Sequence, residues 1–320
     1  MINTLQAGRF LAAMAVVLHH AVISTAAFVD APPPFIQSTL HYGYLGVDFF
    51  FVLSGFIIHY TMSARSRPAA RFAIDRLRRI MLPYWPVGIM LAIAYTLLPG
   101  LSAGDRDWGW VSTLTLIPTG QPPALSVAWT LQHELVFYMI YALLLYSGRI
   151  WIGLAIWAVA IAASYLLGPA DWPLLQLVLA PINIEFIAGV AAAALFLSSR
   201  PVSAIGSLAL AAGFLVLFIS VGGDRNESWL VGFAMGTLLP WICRVEHDGV
   251  FLIPRWFIFG GAASYAIYLV HNPLLSVLSR LIAQTELGWG LALLLSTAIC
   301  AAAGMTWYLV WERPIMQLIK

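Results

Sequence analysis

The chain has 320 residues, of which 61% are hydrophobic and only 9% are charged, and its formal net charge is +2. An average soluble domain carries roughly 25% charged residues, so this composition excludes an ordinary soluble protein. The small net charge also argues against a nucleic-acid-binding surface or an acidic tail. Inside a bilayer every backbone amide must be bonded within its own segment, so apolar runs at this density predict helices.

Apolar runs of about 20 residues, the length that crosses a bilayer, recur along the whole chain. We predict ten spans, near residues 8–29, 42–62, 80–98, 126–147, 149–168, 174–197, 201–221, 228–244, 256–281 and 288–311. Pro169, Pro173 and Pro181 allow a short or broken helix in place of the sixth span. The predicted fold is an all-α, polytopic membrane bundle of about ten transmembrane helices. It is expected to form one domain over residues 1–320, without a soluble extracytoplasmic domain.

The loop charges predict the orientation of the bundle, because cytoplasmic loops are enriched in Lys and Arg. Six arginines lie between the second and third spans: Arg65, Arg67, Arg71, Arg76, Arg78 and Arg79. When this segment and both termini are placed in the cytoplasm, only Arg106, Arg225 and Arg280 of the 16 basic residues fall outside. The charge pattern therefore predicts that both termini are cytoplasmic.

The first span carries two ionisable residues, Arg9 and His20. Their spacing of eleven residues returns to within about 20° of the same helix face and separates them by roughly 16 Å along the axis. His20 is then deep in the bilayer when Arg9 is at the cytoplasmic surface. An imidazole can exchange a proton at neutral pH, so His20 is a candidate general base or nucleophile. A hydrogen-bonded packing histidine is the structural alternative.

The second span begins with Tyr42 and carries Asp48 roughly two turns from its outer end. A carboxylate at that depth needs a cation, a histidine or a helix N-terminus as its partner. Asp48 is therefore either catalytic or a member of a structural network. Gly43, Gly46 and Gly55 predict that another helix backbone approaches closely.

The third span opens with an arginine string, Arg76, Arg78 and Arg79, followed by the aromatic residues Tyr84 and Trp85. Positive-inside charge and an interfacial aromatic belt would produce a similar pattern without any ligand. The functional alternative is anion binding, since guanidinium groups bind phosphates in bidentate fashion. A phosphorylated donor such as a coenzyme A thioester fits that chemistry.

The fourth and ninth spans also carry polar side chains into the membrane. His133 and Glu134 are adjacent in the fourth span and point in different directions on a helix, so they need not serve one site. Tyr268 and His271 share one face of the ninth span, where an aromatic stripe is more often core.

The remaining polar signals are weak. The last span ends Trp311-Glu312-Arg313-Pro314, which by itself predicts an interfacial cap and a helix stop. Cys243 and Cys300 lie in apolar runs without the spacing of a zinc site or a disulfide framework, so no metal is expected.

Together these segments resemble the acyltransferase family 3 membrane proteins, and among them the exopolysaccharide O-acetylating members. The resemblance is carried, in order, by residues 5–20, 46–56, 76–85, 129–138, 264–271 and 312–314. It implies a bacterial inner-membrane enzyme that moves an acyl group, usually acetyl, from cytoplasmic acetyl-CoA to a hydroxyl of an envelope glycan or its lipid-linked precursor. Acyl-CoA is then a donor substrate and not a permanently bound cofactor. Membrane lipids and polysaccharide assembly proteins are the other expected partners.

The resemblance also assigns roles. The catalytic residues are His20 as the base and the buried acids Glu134 and Asp48. We assign the acyl-CoA donor to Arg9, Arg76, Arg78, Arg79, Tyr84 and Trp85. We assign the acceptor to Tyr42, His133, Tyr268 and His271.

Two mechanisms follow from this interpretation. His20, tuned by Glu134 or Asp48, takes the proton of the acceptor hydroxyl during direct transfer, or His20 is itself acylated first. A proton-coupled secondary transporter is the alternative from another class, because buried His, Asp and Glu residues are also found in such proteins. A catalytically inactive scaffold for polysaccharide assembly is a third.

Overall fold

The computed structural model describes residues 2–64, 67–98, 107–198, 200–250 and 252–318, and every regular element in these ranges is helical. Arg65, Arg106 and Lys320, which enter the charge argument, lie outside them. The α-helices are α1 Asn3–Phe28, α2 Pro34–His41, α3 Leu45–Ala64, α4 Ala69–Leu97, α5 Trp110–Thr115, α6 Trp129–Ser147, α7 Ile150–Leu167, α8 Pro173–Val178, α9 Ile184–Leu197, α10 Ala204–Ser220, α11 Trp229–His247, α12 Arg255–Ile282, α13 Trp289–Trp307 and α14 Arg313–Leu318.

Helices occupy the regions of all ten predicted spans. In the part of the chain that the structure describes, seven helical segments are both long enough and apolar enough to cross a membrane. The helices over 181–197 and 204–220 are apolar but shorter. The all-helical membrane fold is thus confirmed, whereas the total of ten spans and the cytoplasmic position of the termini stay predictions.

The sixth predicted span is broken. Residues 174–197 form α8, a 3-10 turn at Pro181–Asn183, and α9. Pro173 stands in the first turn of α8 and Pro181 opens the 3-10 turn, both positions where the missing amide hydrogen is tolerated. The prolines therefore divide this span, as the sequence allowed.

The arginine string lies on a helix and not in a loop. Helix α4 begins at Ala69, eleven residues before the predicted boundary, and continues through Pro83 and Pro86. Arginine is a good helix former, so the helix extends beyond the apolar run. We call this side of the bundle the basic end, defined by Arg67, Arg71, Arg76 and Arg78. The opposite end carries the N-terminus of α6 and the turn between α10 and α11.

Helices α3 and α9 cross in close contact through glycines. A Cβ built on Gly55 would lie 2.0 Å from the carbonyl oxygen of Phe186, and one on Gly189 would lie 1.9 Å from that of Val52. No other residue fits these two positions without moving a backbone. Small residues permit such contacts between membrane helices, so the prediction for Gly55 is confirmed.

The first helix, α1, packs mainly on α12 and also contacts α3 and α13. Arg9 contacts Ser264 and His20 contacts His271, two residues of α12 that are two turns apart. The prediction that Arg9 and His20 share one face of α1 is therefore confirmed. Helices α1 and α12 therefore hold two polar contacts between them: Arg9 with Ser264 toward the basic end, and His20 with His271 toward the opposite end.

The segment between α4 and α6 contains the short helix α5, which packs against α4. Helix α5 ends at Thr115, and the next residue, Leu116, has a left-handed φ of 58°. Three side chains bind its C-terminal carbonyl groups: Tyr84 donates to Thr113, Trp85 to Leu114, and Gln132 to Leu116. Irregular backbone inside a membrane protein requires such partners. The polar groups of Tyr84 and Trp85 are thus used in hydrogen bonds that fix α5 to α4.

Candidate active site

Toward the basic end, α1, α3, α4, α6 and α12 enclose a cavity of about 110 Å³, which we call the arginine cavity. Its polar lining residues are Arg9, Ser54, Arg76, Arg79, Thr130, Glu134, Tyr138, Ser264, Tyr265 and Tyr268. Apolar side chains of α3 complete the wall. The cavity thus combines three guanidinium groups with an apolar surface.

The arginines of this cavity are held by different partners. Arg9 donates from Nε to Ser264 Oγ at 3.1 Å. Arg79 forms an ion pair with Glu312 at 2.9 Å and lies over the ring of Tyr265. Arg76 lies over the rings of Phe72 and Tyr138, 5.6 and 5.8 Å from their centroids. In the described ranges neither Arg9 nor Arg76 has a carboxylate within ion-pair distance, so both can receive an anion.

Glu134 lies in the arginine cavity. Ser54 Oγ donates to its carboxylate at 3.1 Å, and the hydroxyl of Tyr138 donates to the same oxygen. Its neighbours are therefore hydroxyl groups beside the arginines. It does not contact His20.

Beside the arginine cavity, the basic end carries a groove of about 260 Å³. Arg67, Phe72, Asp75 and Arg76 contribute to its lining, and Arg67 and Asp75 form an exposed ion pair at 3.2 Å. Arg76 lines both the groove and the arginine cavity. The groove and the arginine cavity are therefore adjacent, with Arg76 between them.

Toward the opposite end lies a third cavity, of about 120 Å³, which we call the histidine cavity. Its polar lining residues are His19, His20, Tyr44, Ser126, Trp129, Arg225, Tyr268 and Asn272. Val47 and Tyr268 line this cavity and the arginine cavity alike. The two cavities are therefore neighbours, with these two side chains at their junction.

The hydrogen bonds of His20 define its tautomer. His271 Nδ1 lies 2.7 Å from the carbonyl oxygen of Tyr268, which can only accept, so that nitrogen carries a hydrogen. In a neutral His271, Nε2 is then an acceptor, and it lies 3.2 Å from His20 Nδ1. His20 Nδ1 also lies 3.0 Å from the carbonyl oxygen of Val16, so it is the donor. His20 Nε2 is left with a free lone pair, as a general base requires.

The partner of His20 is consequently a histidine. We expected Glu134 or Asp48 in this position. In the described part of the chain no carboxylate lies within ion-pair distance of His20. Asp48 is fully buried and contacts Glu185 and Ser228 instead. His271 is itself fully buried behind His20, so it orients the imidazole in the way that a carboxylate orients the histidine of a Ser-His-Asp triad.

Several residues that the sequence assigned to the site lie elsewhere. Arg78 is exposed at the basic end. Tyr84 and Trp85 bind the carbonyl groups of α5. Tyr42 is 46% exposed at the opposite end, and His133 is buried with Nδ1 2.9 Å from Asn183 Oδ1. These five positions line neither cavity, and their donor or acceptor roles stay predictions.

The sequence argument missed Glu312 and Arg225. Glu312 was expected to be an interfacial cap, but it is fully buried in a π-helical turn, Tyr308–Glu312, and the chain continues into α14. The correction has a physical reason: the ion pair with Arg79 compensates the buried carboxylate, and Pro314 stands in the first turn of α14, where proline is tolerated. An acid at the end of an apolar run was the available signal. For Arg225 the signal was an arginine outside the cytoplasmic set.

The geometry brings together two neighbouring cavities between the helices, one lined by three arginines and the other by His19 and His20. A family model described as an acyltransferase domain, Acyl_transf_3, matches residues 2–310. The chain belongs to this acyltransferase family.

One relative is named for its biological process. The chain is 30% identical over 292 residues to the "Exopolysaccharide production protein ExoZ" of Rhizobium meliloti (strain 1021), covering 86% of this chain and 90% of the relative. No solved structure matches the chain. The protein is thus a multi-pass membrane member of an acyltransferase family.

Proposed function

We propose that the protein is an O-acyltransferase of the bacterial cytoplasmic membrane that uses cytoplasmic acyl-CoA, with acetyl-CoA as the principal donor. The acceptor is a hydroxyl of an exported glycan or of its lipid-linked precursor. Family membership supports acyl transfer, and the name of the relative supports an exopolysaccharide acceptor. The observation that carries the proposal is the pair of adjoining cavities, one lined by arginines and the other by a histidine base.

The donor is proposed to enter from the basic end. The excess of arginine there fits a cytoplasmic location. Arg76 stands where the groove meets the arginine cavity and, with Arg9, supplies cations for the phosphates of coenzyme A. The apolar α3 side chains suit the pantetheine arm and the acyl group. The thioester is then directed toward Tyr268 and Val47, at the junction with the histidine cavity.

The proposed reaction is direct transfer. The acceptor hydroxyl gives its proton to His20 Nε2 as its oxygen attacks the thioester carbonyl, so a C–O bond forms and the C–S bond breaks. The coenzyme A thiolate leaves and takes up the proton from His20. His271 holds His20 Nδ1 in its protonated form throughout.

An acyl-histidine intermediate is the other form of this mechanism. His20 Nε2 would attack the thioester, release coenzyme A, and pass the acyl group to the hydroxyl in a second step. Incubating the protein with radiolabelled acetyl-CoA in the absence of acceptor separates the two forms. A labelled protein that discharges when acceptor is added supports the covalent route, and release of coenzyme A only together with acceptor supports direct transfer.

The test of the proposed function uses the full chain purified in detergent. Radiolabelled acetyl-CoA is mixed with glycolipid and exopolysaccharide from cells that lack the protein, and free thiol and labelled glycan are measured. Stoichiometric thiol release and base-labile label on the glycan are expected. Retention of all label in acetyl-CoA, with every acceptor fraction, would refute the proposal.

A further inference from the structure

Arg225 is the arginine of the histidine cavity, and the positive-inside rule does not explain its position. It begins the 3-10 turn Arg225–Glu227 that joins α10 to α11 at the opposite end of the bundle. It is also one of the three basic residues outside the predicted cytoplasmic set. Positive-inside charge accounts for arginines at the basic end but not for this one.

The guanidinium of Arg225 is held over two aromatic rings. It lies 5.1 Å from the ring centroid of Trp129 and 5.8 Å from that of Tyr44. In the described ranges it forms no ion pair with a carboxylate. A guanidinium that uses its flat face for a cation–π contact keeps the N–H groups at its edge for a ligand. Those N–H groups match the oxygens of a phosphate or a carboxylate.

The remaining lining of the cavity suits a sugar. Beside the guanidinium, Trp129 and Tyr44 contribute aromatic surface to the lining, and Ser126 and Asn272, which are hydrogen-bonded to each other, contribute hydroxyl and amide groups. Binding sites for small polar ligands combine apolar surface with a few placed polar groups in this way. His20 lines the same cavity, so a ligand that contacts Arg225 also faces the base.

We propose that the histidine cavity selects a glycan acceptor that carries an anionic group close to the acylated hydroxyl, and that Arg225 binds this anion. The inference rests on the proposed function and names its acceptor class. The anion has two possible sources, the phosphate of a lipid-linked glycan or the carboxylate of an acidic sugar. Both would be bound by the same guanidinium N–H groups.

The test measures binding separately from turnover. The purified full chain is first saturated with coenzyme A, so that the arginine cavity is occupied. Its thermal unfolding is then followed with inorganic pyrophosphate, methyl glucuronide or methyl glucoside, since a ligand that binds the folded protein raises the unfolding temperature. Stabilisation by pyrophosphate alone indicates a phosphate-bearing acceptor, and stabilisation by methyl glucuronide alone indicates an acidic sugar. The neutral glucoside should be the weakest of the three.

Variants assign the effect to Arg225. Arg225→Gln should raise the half-saturating concentration of the active anion roughly 10- to 100-fold, and Arg225→Lys should fall between Arg225→Gln and the wild type. Arg280→Gln is the matched control, because Arg280 lies over Phe28 outside the cavity. It should bind the anion as the wild type does.

Acyl transfer gives the second readout. Arg225→Gln should raise the KM for acceptor by a similar factor, while the KM for acetyl-CoA stays within about twofold. The proposal is overturned when neither anion stabilises the wild type better than the glucoside, or when Arg225→Gln binds the anion unchanged. Anion binding that depends on Arg225 in a protein without acetyl transfer would refute the proposed function but retain the anion site.

Discussion

The arginine cavity and the histidine cavity share Val47 and Tyr268 but differ in every other respect that governs chemistry. The first collects three arginines, one of them neutralised by Glu312, around an apolar surface. The second contains histidines, aromatic rings and a single arginine. Such a division suits a reaction whose donor is a phosphorylated thioester and whose acceptor is an alcohol, because each substrate then meets side chains that complement its charge and hydrogen-bonding groups.

The difference also explains where the carboxylates lie. Glu134 and Glu312 accompany the arginines, and Asp48 lies with Glu185 in a third place. Around His20 there is no carboxylate within ion-pair distance in the described residues, so the base is oriented by the neutral ring of His271. A neutral partner avoids placing a further buried charge in the bilayer.

The largest effect is expected at His20. Replacing it with Ala should lower acyl transfer by about 10²- to 10⁴-fold, the usual contribution of a general base, without weakening coenzyme A binding. Transfer and binding are measured on the same purified sample. His59→Ala is the matched control: His59 is partly buried, bonds Tyr141 and lines neither cavity, and its loss should leave the rate within about twofold. Full activity of His20→Ala would show that the histidine cavity does not supply the general base.

A smaller effect is expected at the arginines. Arg76→Ala should raise the KM for acetyl-CoA roughly 10- to 100-fold through loss of a charge-assisted hydrogen bond, with acceptor KM nearly constant. Arg71→Ala, an exposed arginine of the same helix that lines no cavity, should leave both constants unchanged. Steady-state kinetics with each substrate varied in turn provide the measurement. A rise in the KM for acceptor alone would show that Arg76 serves the acceptor and not the acyl-CoA donor.

The two cavities share Val47 of α3, and a substitution at Gly55 tests whether the position of this helix matters to both. Gly55→Ala should push α3 away from α9 and destabilise the protein by about 1–3 kcal/mol, the usual effect of overpacking. Because α3 supplies much of the apolar wall of the arginine cavity and also Val47, which lines both cavities, the KM values for donor and acceptor should rise together. Gly213→Ala on α10 is the control, since a Cβ there meets no atom within 4 Å. Thermal unfolding and kinetics that are unchanged in Gly55→Ala would contradict the packing.

The smallest effect is expected at the junction. Tyr268→Phe removes the hydroxyl that lies 2.9 Å from Thr130 Oγ1 and donates to the Val127 carbonyl, at about 1 kcal/mol of stability. Tyr268→Ala also removes the ring, so water from the histidine cavity should reach the thioester. Free acetate formed without acceptor should therefore increase in Tyr268→Ala and not in Tyr268→Phe. Equal acetate release from both variants would show that the ring does not separate the cavities.

The sequence determined the helical membrane fold and the placement of Arg9 and His20 on one face of α1. Both follow from local rules: apolar runs must be helical in lipid, and a spacing of eleven residues returns to one helix face. The break at Pro181 and the close approach at Gly55 were also readable, because proline and glycine act through their own backbone. The resemblance to acyltransferase family 3 was confirmed by the family match over residues 2–310.

The tertiary structure alone decided which polar side chains meet. No sequence spacing predicts that Glu134 meets Ser54 or Arg76, because the three residues lie on different helices. Only helix packing brings them to one cavity. His271 reaches His20 across 251 positions of the chain, and Glu312 reaches Arg79 across the bundle. Helical periodicity fixes the face on which a residue lies but not the helix that this face meets. The partners of buried charges therefore became visible only once the helices were packed together.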